Sequence, residues 1–230
     1  MYEDYYIYYG LTMLAMLVTF GAQFYISTVY SRYSKIRNRN GFTGARTANE
    51  ILFRNGLGDV EVTEVNGYLT DHFDPLSNKV SLSQTNYSSD SIASMAIAAH
   101  ECGHALQHQA DYAFLKIRAS LLPVANISSY AGYMAIMLGL FLGQTNLIWL
   151  GIALEGVILL FQLVTLPVEF DASSRALTQI RECGIGDEEE LKGAKTVLTA
   201  AALTYVAGVA STLFQMLRLI LVYGRRRDNR

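Results

Sequence analysis

Four runs of apolar sequence decide most of what this 230-residue chain can become. Residues 5–26, YYIYYGLTMLAMLVTFGAQFYI, carry no charged side chain. A helical run of about 20 such residues crosses the ~30 Å hydrocarbon core of a bilayer. Residues 121–142, 146–166 and 197–223 are similarly apolar, interrupted only by Glu155 and Arg218. Inside hydrocarbon each backbone N–H and C=O must be satisfied within the segment, so each run is expected to be a helix. Charged residues make up 17% of the chain, below the ~25% usual in soluble proteins. The expectation is a mainly α integral membrane protein with about four transmembrane helices, over residues 5–30, 120–142, 146–167 and 197–223.

The charges between these runs predict a topology. Glu3 and Asp4 precede the first run, with no Lys or Arg, so it reads as an uncleaved anchor rather than a secretory signal. Arg32, Lys35, Arg37, Arg39 and Arg46 follow it, which places the N-terminus outside and this side in the cytoplasm. Tyrosines at both ends, Tyr5, Tyr6, Tyr8 and Tyr9 and then Tyr25 and Tyr30, read as interfacial belts. The short link Gly143-Gln144-Thr145 forces the second and third runs into a hairpin, so residues 32–118 and 168–195 emerge on the same side. A fully crossing fourth run would put Arg225, Arg226 and Arg227 outside, against the charge rule. Glu155 and Arg218 are costly at membrane depth and are read as a pair. Net charge is −2, which gives no basic surplus for nucleic acid, and Cys102 and Cys183, without C-x-x-C spacing, fit a reduced compartment.

The block at 32–118 is the first extramembrane domain. Thr43 can cap a helix over about 44–55 that stops at Gly56. DVEVTEV alternates, Asn66-Gly67 reads as a tight hairpin turn into GYLTDHF, and NKVSLS follows Asp74-Pro75. These give a small antiparallel sheet. Ser88, Ser89 or Asp90 then caps a helix running to about Gln109.

That helix carries His100-Glu101-Cys102-Gly103-His104. Histidines at i and i+4 share one helix face, about 6 Å apart, where two imidazoles reach a single Zn²⁺ at ~2.0–2.1 Å. Glu101 sits beside that face and is placed to act as general base on a zinc-bound water. Two satisfied histidines on a buried helix are the plain alternative for a motif this short. Cys102 points away from His100 and reads as a small core residue, and Gly103 as a point of close approach.

A catalytic zinc needs a third protein ligand. The candidates are His72, His108, Glu169 and Asp171. His108 rises about 12 Å above His100 on the same helix, too far for one ion. Glu169, expected to begin a helix just after Pro167, is favoured, with Asp171 roughly on the opposite side. The segment at 168–195 therefore forms the second extramembrane part.

H-E-C-G-H-A, with L-T-D-H-F-D-P upstream and L-P-V-E-F-D-A-S downstream, resembles the neutral zinc metallopeptidase family of bacterial membrane proteins (YugP-like), over roughly residues 5–220. The arrangement is also similar to membrane gluzincins of the CAAX-protease and HtpX-type group. Those usually carry an aspartate four residues after the glutamate ligand, a position held here by Ser173. The resemblance implies a zincin-like metalloprotease domain in a bacterial plasma membrane, one catalytic zinc on His100, His104 and Glu169, and Glu101 as base. It also implies a peptide or membrane-protein substrate, with room for a homo-oligomer or a partner membrane protein. The NKVSLS strand is the expected edge for an extended substrate, and His72, Tyr87 and Arg175 are candidates for oxyanion stabilisation. A catalytically silent scaffold and a hydrolase of non-peptide bonds are the competing readings.

Overall fold

The computed structural model describes residues 2–228. The side chains of Tyr5 and of Arg225, Arg226 and Arg227 lie outside the described residues. Among the described residues, seven helices and three strands follow one another: α1 (Tyr2–Tyr33), α2 (Gly44–Arg54), β1 (Glu61–Val65), β2 (His72–Asp74), β3 (Lys79–Ser83), α3 (Gln84–Ser88), α4 (Ile92–Gln109), α5 (Ala113–Leu142), α6 (Thr145–Glu182) and α7 (Glu188–Asp228). Four of them, α1, α5, α6 and α7, are long and apolar enough to cross a membrane. Their residues divide into two compact units.

The first unit contains α1 up to Gln23, Lys116–Leu166 and α7 from Leu203. Gly143, at φ +66°, ends α5 in the left-handed region and lets a two-residue link turn the chain into α6. The two helices then pack backbone to backbone: a Cβ on Gly151 would lie 2.9 Å from the Gly132 carbonyl oxygen. Close contact through small residues is how helices gain packing energy without a hydrophobic drive. Arg218 donates from Nη1 to Thr12 Oγ1 at 2.9 Å, and its guanidinium lies 4.6 Å from the Tyr8 ring centre. Among the described residues these are its direct contacts, and the expected partner Glu155 interacts with Arg218 from beyond ion-pair distance.

The second unit, Phe24–Leu115 with Pro167–Ala202, holds the small sheet and α4. Thr43 caps α2 through the Arg46 N–H. The cap of α4 is Ser91, one residue beyond the expected set, and it accepts from the Ser94 N–H. Asp187 and Glu190 form a reciprocal box at the start of α7: Asp187 Oδ1 accepts the Glu190 N–H, and Glu190 Oε2 accepts the Asp187 N–H. Tyr30 is not an interfacial belt residue. It is 5% exposed, and its hydroxyl donates to Asn86 Oδ1 at 3.0 Å.

The sheet is mixed, not antiparallel. Its order is β1-β3-β2, with β1 parallel and β2 antiparallel to β3. Val80 and Leu82 of β3 are fully buried, whereas β1 is half exposed, so burial selects β3 as the central strand. The chain after Asn66-Gly67 therefore crosses to the far side of β3 instead of folding back on β1. Asp71 holds that crossing by accepting from the Ser83 N–H at 2.8 Å and the Asn86 Nδ2 amide at 2.8 Å. With a neighbour on each side, the NKVSLS strand has no free edge for a substrate.

Helix α6 is also continuous where a break was expected. Pro167 lies within it, and Glu169 is an interior residue rather than the first of a new helix. A proline costs a helix one hydrogen bond and local crowding, which a long, well-packed helix tolerates. Beyond Pro167, Val168, Ala172, Ala176 and Ile180 repeat every four residues and are all fully buried. That stripe meets α4 at Gln107, whose side-chain amide donates to the Val168 carbonyl oxygen at 2.7 Å. At the tightest point a Cβ on Gly103 would stand 2.4 Å from the Ala172 carbonyl oxygen.

Candidate metal centre

Small residues between α4 and the end of α6 bring their polar side chains together. His100 and His104 lie one turn apart on α4, with ring centres 4.8 Å apart and planes at 82°. Glu169 Oε2 is 3.3 Å from His100 Nε2 and 3.7 Å from His104 Nε2. One donor atom from each of these three residues falls within 4.8 Å of the others. Glu169 is only 3% exposed and Glu101, on the same turn of α4, 8%.

The charges here are unbalanced without a cation. Burial alone would raise the Glu169 carboxyl, but hydrogen bonds from the two imidazoles overcome it and hold the group well below the usual carboxylate range. His104 is likewise disfavoured as a cation by burial, yet Glu169 and Glu101 push its pKa above the ordinary histidine value. Glu101 is raised by burial, with the two histidines opposing. Two imidazole nitrogens and a carboxylate oxygen, on two rigid helices with a second carboxylate beside them, form a donor set that suits Zn²⁺.

The other expected candidates lie elsewhere. His72 is exposed on β2, with Nδ1 2.8 Å from the Thr70 carbonyl. The His108 ring lies against Phe73, 5.9 Å between centres. Asp171 accepts from Arg175 Nε at 2.6 Å, and Arg175 also approaches the Tyr112 ring. Neither His72 nor Arg175 is thus aimed at the cluster for oxyanion stabilisation.

Two further residues support the cluster from behind: Ser173, noted in the sequence only as a departure from the usual aspartate, and Gln107, which sequence reasoning passed over. Ser173, one turn after Glu169, has Oγ 3.3 Å from His100 Nδ1, so it occupies the expected aspartate position with a hydroxyl. Gln107, fully buried, has Oε1 3.0 Å from His104 Nδ1. A glutamine three residues past His104 falls on the same helix face, and that spacing was the available signal.

Comparison with known proteins identifies a family. A model of the family described as "Putative neutral zinc metallopeptidase" matches residues 8–224. The protein named "Putative membrane protease YugP" of Bacillus subtilis (strain 168) is 45% identical over 218 residues, covering 95% of this chain and 97% of its own. No solved structure matches the chain. With nearly its whole length matched by the family and by this relative, the chain belongs to the family described as "Putative neutral zinc metallopeptidase".

Proposed function

We propose that this protein is a membrane-embedded zinc endopeptidase. The observation that carries the reading is the convergence of His100, His104 and Glu169 with the buried Glu101 alongside. His100, His104 and Glu169 would hold the ion. Zinc bound there supplies Lewis acidity, polarising a scissile carbonyl and acidifying a water. The Glu101 carboxylate would take the proton of the attacking water and pass it to the departing amine nitrogen. Ser173 and Gln107 orient the two imidazoles from their Nδ1 sides. The sheet with α4 makes a zincin-like domain.

Residues 5–30, 120–142, 146–167 and 197–223 cross a bacterial plasma membrane. Residues 32–118 and 168–195 form the cytoplasmic part, so α4 and the end of α6 meet on one side of the bilayer. The positive residues after α1 and the apolarity of the four helices support this orientation. The substrate class is a peptide or membrane protein. Glu101→Gln is the direct test. The variant should keep its zinc while cleavage of a casein or peptide-library substrate falls by at least ~10²-fold, the scale of a general-base contribution. Undiminished cleavage would refute the assignment of Glu101, and cleavage by neither protein would favour a silent scaffold.

A further inference from the structure

Gln107 is polar, fully buried and in contact with a proposed ligand, and its hydrogen bonds leave it one orientation. Its Nε2 lies 2.7 Å from the Val168 carbonyl oxygen and 2.9 Å from Asp171 Oδ2. A backbone carbonyl only accepts, and so does a carboxylate paired with Arg175. The Gln107 atom facing both must therefore be the NH₂ group, which turns its Oε1 towards His104. That oxygen only accepts, so the hydrogen in the 3.0 Å contact belongs to His104 Nδ1.

From this we infer that Gln107 is a positioning residue that sets the tautomer of His104. With Nδ1 carrying the proton of the neutral ring, the lone pair sits on Nε2, the atom that faces Glu169. The chain Arg175–Asp171–Gln107–His104 runs back through α6 and α4 and fixes which nitrogen is presented to a metal. Ser173 gives His100 no such instruction, because a hydroxyl can donate or accept. The two imidazoles are therefore held differently: His104 is preset, and His100 adapts. The consequence for zinc rests on the proposed metalloprotease reading, but the tautomer itself does not.

The chain has only four histidines, so ¹⁵N-histidine labelling of the full-length protein in nanodiscs resolves them, with His104→Gln identifying the signal of His104. In metal-free protein, at a pH high enough to leave the ring neutral, His104 is expected as the Nδ1–H form. Gln107→Met removes the acceptor while keeping volume, and should move His104 towards the Nε2–H form. It should also weaken Zn²⁺ binding, read by competition with a chelator, by about 10–100-fold. Gln107→Glu retains an acceptor and should retain the tautomer. A neutral wild-type His104 with its single proton on Nε2 overturns the inference whatever the variants do. So does a folded Gln107→Met protein that keeps both the wild-type tautomer and wild-type zinc affinity. If Gln107→Met fails to fold, Asp171→Ala serves: loss of the Nδ1–H preference supports the chain, and unchanged tautomer and affinity contradict it. A protein that binds no zinc at all but shows the Nδ1–H form would refute the protease reading and leave this inference standing.

Discussion

At the scale of single residues, the site concentrates two buried carboxylates and two imidazoles in the space of one ion. Without a metal, burial raises the pKa of the Glu101 carboxyl, and Glu169 and Glu101 outweigh burial to raise that of His104. Both are folded-state pKa values above their unfolded ones, so the metal-free protein gains stability from them at lower pH. That stability is lost as the pH rises through the raised values. Glu169 is ionised in both states over this range, because its folded value lies far below the ordinary one, and it adds no slope there. Zinc requires neutral imidazoles, so its binding has the opposite trend. Thermal melts of chelated protein should fall between about pH 6 and pH 8, the range of histidine titration, while zinc-loaded protein should hold or gain. A parallel response of the two forms would contradict this description of the site. His100, Glu101 and His104 were legible in the sequence because their spacing alone puts them on one turn. Gln107 was not, because glutamine is common on helices and only a folded neighbour gives it a role; Ser173 was visible only as a departure from the usual aspartate.

At the scale of elements, the centre depends on how closely α4 approaches α6. Gly103 permits that approach, and the carbonyl it meets belongs to Ala172, three residues from Glu169. Gly103→Ala would drive a methyl into backbone, which cannot rotate away. We expect a loss of about 1–3 kcal/mol in stability, as for overpacking generally, and weaker zinc binding because Glu169 is displaced. Gly156→Ala, whose added Cβ meets nothing nearer than Met216 Cε at 3.9 Å, should leave zinc binding unchanged. Equal effects of the two changes, read by melting and chelator competition, would rule out the close approach as the cause. Helices were legible from uncharged apolar runs and caps such as Thr43. The sheet was not, because pairing depends on which strand is buried by distant residues. Local turn chemistry at Asn66-Gly67 suggested a hairpin, and the burial of Val80 and Leu82 decided otherwise.

For the molecule as a whole, the long helices do two jobs along one continuous length. Helix α6 begins as a candidate membrane span and ends by carrying Glu169 into the candidate metal centre, passing through Pro167 without a break. The sequence distinguished these two halves by composition, yet composition could not reveal that a single helix contains both. The proposed account makes Glu169, at the far end of that helix, as necessary for the metal as the histidine pair. The most direct test is therefore the zinc content of purified full-length protein and of its Glu169→Ala variant, measured by atomic emission after dialysis against a weak chelator. The account predicts one zinc per wild-type chain and a variant that loses most of it while keeping its helical content; full zinc occupancy in the Glu169→Ala protein would contradict it.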